Sequence, residues 1–349
     1  MSLHALKILE RRRETAPESD KAVFCLRLAC TEPYEPGDWL MVQPVNPQRT
    51  VGDVLEALGL TGAERVTLRR HGEVPVFEAL REHLEITQLD PAMLNRLQRK
   101  EGIGDWPDRQ AMVDYAWHRD LLDFLCDYPD ARALSLKLID YLSPLAPRYY
   151  SIASACCAHP GEVHILFKHV VHMVCGREHP GAATTLLRES PVGSFVQGRI
   201  QANKGFKLPQ QGEVPIVMIG AGVGLAPFIG FMQARLREGA VGENWLFFGE
   251  THEKSTFLCR EQLTGWVAQG ALQLATAFSR DQAEKIYVQH RVLEHADDVR
   301  RLFAEGAYFY LCGDKRGMAP AVLDALTQCL GEDKMAQLKA ENRLQTDIY

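Results

Sequence analysis

The sequence predicts an α/β plus β-barrel chain: a barrel of short strands broken by a helical insertion and followed by a parallel-sheet α/β domain. Three features carry that prediction. Strand-like stretches flank a central region, apolar residues inside that region recur at three- and four-residue spacing, and beyond Val214 short apolar runs alternate with helical segments.

The first strands are AVFCLRL from Ala22 and WLMVQPV after the Pro36-Gly37 turn, while residues 1–20 read as an extension ahead of them. Between Val51 and Tyr141 the period turns helical, in VGDVLEALGL, DPAMLNRLQRK and RDLLDFLCDYP. Strands resume from Arg148 to Gln197, with the alternating GEVHILF and the run GSFVQGRI. A barrel domain over 21–211, with its insertion at 51–141, accounts for this order. From 212 to 349 the short runs VPIVMI, NWLFFG, LQLATAFS and YFYLCG have the character of buried strands in a parallel sheet.

Composition narrows the class. The chain has 349 residues, 46% apolar and 24% charged, with a net charge of -6. No basic stripe offers a nucleic-acid footprint, and no apolar run is long enough for membrane insertion. Met1 to Arg13 is not followed by an apolar h-region, so no secretory signal is read there. Nine cysteines, none in a C-x-x-C pair, suit reduced thiols in a cytoplasmic protein better than a zinc or iron–sulfur site. His164, His169 and His172 invite a metal. In a strand, though, residues three and five apart face opposite ways, so no metal site is assigned.

The most legible segment is VPIVMIGAGVGLAPFIGFMQARLREG. A buried strand runs into Gly220, Gly222 and Gly224, then a helix with Pro227 in its first turn. Glycines allow close backbone approach to a pyrophosphate, and a helix N-terminus offers N–H groups to an anion. The spacing is not G-x-G-x-x-G, and such a turn also occurs without any ligand. Further on, Ser279, Arg280 and Lys285 follow a strand, with Tyr287 and Gln289 after them. A hydroxyl, two cations, an aromatic ring and an amide suit the 2′-phosphate of NADPH better than the bare ribose of NADH. YLCGDKRGMAP places Cys312 at the C-terminal end of another strand, where ligands sit in such sheets.

With these residues in view, the sequence resembles the diflavin reductase family from about Lys21 to Tyr349, through PRYYSIASA, HPGAATTLLRE and the ending LQTDIY. The resemblance implies a ferredoxin-NADP-reductase-like FAD-binding barrel and an NADP-binding domain. It implies that Arg148 faces the FAD pyrophosphate, with Tyr149, Tyr150 and Ser151 at the flavin, Tyr150 packing on the ring and Ser151 reaching N5. Gly181, Ala182, Ala183 and Thr184 open a helix beneath the pyrophosphate. Thr87 is a further flavin contact, Leu166, Phe167, Lys168 and His172 lie on the adenine side, and Tyr349 covers the ring face that nicotinamide must occupy. Lys168 and His172 depart from the family pattern, as do Val223 and Ala321 on the coenzyme side.

Ser151, Cys312 and Asp347 are the implied catalytic group for hydride transfer from NADPH to FAD. Electrons would then pass to a separate acceptor, an FMN or flavodoxin-type protein or a hemoprotein. The final LQTDIY points to the sulfite-reductase branch of the family. No flavodoxin-like segment precedes Lys21, so the FMN carrier is expected on another polypeptide. A ferredoxin- or flavodoxin-NADP reductase shares the two-domain plan but not the long insertion. A redox-inactive flavin-binding scaffold is the reading outside enzymes, and Ser151, Cys312 and Asp347 speak against it.

Overall fold

A computed structural model describes residues 3–174 and 176–349; Met1, Ser2 and Cys175 lie outside the described residues. The chain divides into two compact units. The first comprises Met1–Met41, Tyr149–Lys168 and Pro191–Tyr349, and the second comprises Val42–Arg148 and His169–Ser190.

Fifteen strands occur among the described residues. They run β1 (His4–Arg13), β2 (Val23–Ala29), β3 (Trp39–Val42), β4 (Arg65–Leu68), β5 (Gly72–Pro75), β6 (Arg148–Ser151), β7 (Glu162–Lys168), β8 (Val171–Val174), β9 (Arg177–Pro180) and β10 (Phe195–Gln201). They continue with β11 (Ile216–Ala221), β12 (Asn244–Glu250), β13 (Gln273–Phe278), β14 (Tyr308–Gly313) and β15 (Leu344–Ile348).

A six-stranded sheet has the order β6-β3-β10-β1-β2-β7, and β1 pairs antiparallel with both β10 and β2. An isolated bridge between Ile152 and Ile165 joins the chain after β6 to β7, so the sheet curls toward a barrel. The extension expected over residues 1–20 is therefore corrected: His4–Arg13 is an inner strand. Its alternation was hidden because only Leu6 and Ile8 are buried on a strand otherwise polar or exposed. The stretch EVHILFKHVVHMV is likewise two strands, β7 and β8, which belong to different sheets.

The second sheet of the first unit is parallel, in the order β13-β12-β11-β14-β15. Its strands alternate between two cores. Val217, Ile219, Phe247, Phe309 and Leu311 pack on the helices Val288–Glu294, Ala296–Ala304 and Met318–Leu330. Ile216, Met218, Leu246, Phe248 and Tyr310 pack on the helix Ala226–Glu238, together with barrel residues Val23, Ala153 and Leu166. Burial on both faces explains why these strands read as nearly unbroken apolar runs. The chain leaves β11 toward β12 on one side and returns to β14 on the other. The C-terminal ends of β11 and β14 thus form the switch point where such sheets bind ligands.

The second unit has its own core, centred on Val51, Val54, Leu80, Leu94, Leu97, Phe124 and Leu138. Its helices carry local start and stop signals. Asp90, Asp108 and Asp120 cap three helix starts, and Gly59 and Gly102 end two helices at φ of 65° and 69°. Thr87 lies within this helical region, in irregular chain ahead of the helix Pro91–Glu101 and not on a helix. No helix among the described residues is long and apolar enough to cross a membrane.

Candidate active site

At the C-terminal edge of the parallel sheet, Cys312 on β14 and Asp347 on β15 are register partners. The Ser151 hydroxyl donates to Asp347 Oδ2 at 2.6 Å, and Cys312 Sγ lies 3.9 Å from the same oxygen. Trp39 Nε1–H donates to Asp347 Oδ1 at 3.1 Å. The three residues singled out by resemblance therefore meet around one carboxylate, and Trp39 is a fourth member that sequence reasoning missed. Nothing in GDWLM separates that indole from an ordinary strand residue.

Burial raises the Asp347 carboxyl above its ordinary value, against the hydrogen bonds from Ser151, Trp39 and Cys312 that lower it. Burial also holds the fully enclosed Cys312 thiol well above the usual range, with the nearby Asp347 charge acting in the same direction. The group is a buried carboxyl with fixed donors around it. Tyr149 meets Trp39 edge-on with ring centroids 5.9 Å apart, and its own ring is exposed. Tyr349 is 60% exposed, yet its backbone is anchored: its N–H donates to Gly313 O at 3.2 Å, and Lys315 N–H donates to its carbonyl at 2.9 Å.

Beside this group the glycine turn borders a cavity of about 450 Å³ lined by Lys21, Gly222, Glu250, Ser279, Tyr287 and Gln289, among others. Gly222 has φ of +56°, the left-handed region that favours glycine. Gly224 is needed for a different reason than ligand approach: a Cβ there would stand 2.3 Å from the Cys312 carbonyl oxygen. Backbone bonds from Ser279 to Glu250 and from Arg280 to Thr251 hold the loop after β13 to the end of β12. Arg280 and Lys285 are exposed outside the lining, and Arg280 pairs with Asp20 at 3.6 Å. Lys21 and Glu250 carried no sequence signal for this cavity.

Of the β7 residues expected on the adenine side of FAD, the side chains of Leu166 and Phe167 lie in the core, Phe167 stacking on Phe24, so any contact they make with a ligand is through backbone. Lys168 is exposed and Tyr150 half-buried. In the second unit, Thr87 and Arg148 are linked through Glu85. The Thr87 hydroxyl donates to Oε1 at 2.7 Å, and Arg148 Nη2 donates to Oε2 at 3.2 Å. Gly181 caps the helix Ala182–Glu189, and Thr184 Oγ1 accepts from Val170 N–H.

Thr87, His172 and Gly181 line a cavity of about 350 Å³ with Trp117, His118 and Arg119. His172 stacks on His118 at 3.8 Å, and Arg119 Nε is buried with no hydrogen-bond partner among the described residues. A stacking surface and a free helix start suit an aromatic, phosphorylated ligand, while Arg119 Nε lies 3.9 Å from the Asp127 carboxylate.

The three histidines considered for a metal have separate surroundings: His164 beside Glu162, His169 beside Thr185 and Arg188, and His172 on His118. Two groups of possible metal ligands occur among the described residues, His159/Glu162/His164 and Asp120/Asp123/His179. In each an arginine already engages the carboxylates, Arg27 on Glu162 and Arg177 on Asp120 and Asp123. The eight described cysteines are free thiols.

Residues 218–324 match the family described as "Oxidoreductase NAD-binding domain". The chain is 37% identical over 90% of its length to the sulfite reductase (NADPH) flavoprotein alpha-component of Bacillus subtilis, covering 55% of that protein. It is 38% identical over 90% to the protein of the same name from Salmonella paratyphi B, covering 55% of it. For that of Shewanella sp. MR-4 the identity is 33% over 99% of this chain and 61% of the relative. The chain thus spans between 55% and 61% of these relatives' length. With its barrel, its parallel sheet and this extended similarity, the chain is a homologue of the sulfite reductase (NADPH) flavoprotein alpha-components and has a ferredoxin-NADP-reductase-like fold that carries an oxidoreductase NAD-binding domain.

Proposed function

We propose that the chain is the FAD- and NADPH-binding part of a flavoprotein reductase. It would take a hydride from NADPH and hand electrons to a separate acceptor protein, of the FMN or flavodoxin type or a hemoprotein, in a sulfite-reductase-like system of the cytoplasm. The observation that carries this reading is the meeting of Ser151, Cys312 and Asp347 around one buried carboxylate, beside a cavity bordered by the glycine turn.

In this reading the barrel and its insertion, to residue 211, hold FAD, and residues 212–349 hold NADPH. FAD, when bound, supplies a ring that accepts a hydride and lets the electrons leave singly. Arg148 and the helix start at Gly181–Thr184 would bind its phosphates, and Thr87 would be a further contact to the flavin. Tyr149, Tyr150, Ser151 and Tyr349 would border its ring. Asp347 keeps a negative charge where the nicotinamide becomes cationic. Trp39 and Ser151 fix the orientation of that carboxylate, and the enclosed Cys312 keeps water away from it. Ser279, Tyr287 and Gln289 would grip the coenzyme's adenosine end, with Arg280 and Lys285 turning inward toward a 2′-phosphate.

The test is direct. Denaturing the purified protein should release FAD without FMN, and the native protein should reduce ferricyanide with NADPH. Protein free of flavin after reconstitution with FAD, or flavin-loaded protein inert toward NADPH, would overturn the reading.

A further inference from the structure

The stretch between β1 and β2 is built into the coenzyme end of the first unit. Ala16 N–H donates to Ser255 O at 2.9 Å, and the buried Thr15 hydroxyl donates to Lys21 O at 2.7 Å. These bonds deliver Lys21 to the cavity at the glycine turn, where its Nζ lies 2.8 Å from Glu250 Oε2. Glu250 ends β12 with a side chain 1% exposed, and it also accepts from Thr251 N–H at 2.7 Å. Its other oxygen, Oε1, faces the turn, 3.6 Å from the place a Cβ on Gly222 would take.

An enclosed carboxylate beside a phosphate-binding turn is an unfavourable neighbour for an anionic coenzyme, because charges attract and repel strongly where water is excluded. A carboxylate at the end of the second strand of such a sheet also tends to favour an unphosphorylated ribose. Here the charge is compensated by a lysine from a distant part of the chain. We infer that Lys21 and Glu250 form the charge-selecting pair of the coenzyme cavity, in which Lys21 neutralises Glu250 and so makes the cavity tolerant of a 2′-phosphorylated dinucleotide. The inference rests on the proposed NADPH-binding role of that cavity.

Binding of NADP⁺ and NAD⁺ to the flavin-loaded full chain, measured by calorimetry, tests it. Lys21→Met should weaken NADP⁺ at least tenfold and NAD⁺ several-fold less. Lys21→Met combined with Glu250→Gln should recover most of the lost NADP⁺ affinity, since the uncompensated charge is gone. Glu250→Gln alone should tighten NADP⁺ and steepen its salt dependence, because Lys21 is left free to face phosphate. Unchanged NADP⁺ binding in Lys21→Met, equal losses for both coenzymes, or a double variant as weak as Lys21→Met would overturn the inference. A parent protein that binds neither coenzyme would instead overturn the cavity's assignment. Unaltered flavin content and circular dichroism in the variants separate a charge effect from misfolding.

Discussion

Cys312 and Asp347 face each other across the parallel strands β14 and β15, and the carboxylate between Cys312, Ser151 and Trp39 is buried. A charge placed there costs stability, and that cost gives the first prediction.

Because burial raises the Asp347 carboxyl, the folded protein holds its proton more tightly than the unfolded chain. Stability from this group therefore falls as pH rises from the ordinary value of 3.8 through the raised one, and the deficit persists at neutral pH. Asp347→Asn should raise Tm at pH 7.5 by more than at pH 4.5. Flavin reduction by NADPH should nevertheless slow by roughly 100-fold, the scale for losing one preorganised electrostatic group. Calorimetry and stopped flow check the two halves, and a Tm gain independent of pH contradicts the first.

Cys312→Ala should slow flavin reduction by about five- to tenfold, the kinetic equivalent of one hydrogen bond of about 1 kcal/mol. FAD content and NADPH affinity should stay near those of the parent. In the native protein iodoacetamide should modify the exposed Cys157 and spare the enclosed Cys312. Peptide mass mapping reads this, and early labelling of Cys312 would show that the group is open to solvent.

Gly224→Ala would drive a Cβ to 2.3 Å from the Cys312 carbonyl oxygen and 2.8 Å from its carbon, both backbone atoms. The turn must shift, at a cost of about 1–3 kcal/mol for overpacking. Urea unfolding should show that loss together with weaker NADP⁺ binding. Full stability with full binding would mean that the turn relaxes freely.

Arg280→Ala should weaken NADPH far more than NADH, by on the order of 1.5–3 kcal/mol in kcat/KM for a charge-assisted contact. The exposed pairing of Arg280 with Asp20 is worth much less, about 0.2–1 kcal/mol, so a phosphate can displace it. Equal losses for the two coenzymes would remove the 2′-phosphate role.

Deleting Tyr349 should raise NADH-dependent activity, tighten oxidised coenzyme and shift the flavin absorption spectrum. The ring is exposed but its backbone is tied to Gly313 and Lys315, so it is held at the site and does not fray. An unchanged spectrum and coenzyme preference would assign the residue a purely structural role.

Much of the fold was readable because its signals are local. Apolar periodicity marked the helices between Val51 and Tyr141, and unbroken apolar runs marked β11, β12 and β14, whose two faces are both buried. The turn at Gly220–Gly224 and the helix after it were visible for the same reason. Ser151, Cys312 and Asp347 entered through motif resemblance, not through any property of their own stretches. Strand β1 went unread because half of its length is charged. β15 was seen only as an ending, since LQTDI alternates too briefly to announce a strand.

The sequence by itself determined the order of strands and helices, the glycine turn and the residue types available for chemistry, since each depends on neighbours a few positions away. Only the tertiary structure decided which distant groups meet: Trp39 and Ser151 on Asp347, Lys21 on Glu250, and Glu85 between Thr87 and Arg148. The pairing register of β14 with β15 and the docking of residues 15–21 are long-range choices made by burial and hydrogen bonding of the assembled sheets. No local pattern along the chain encodes such contacts, because the free energy that selects them exists only once the strands are packed.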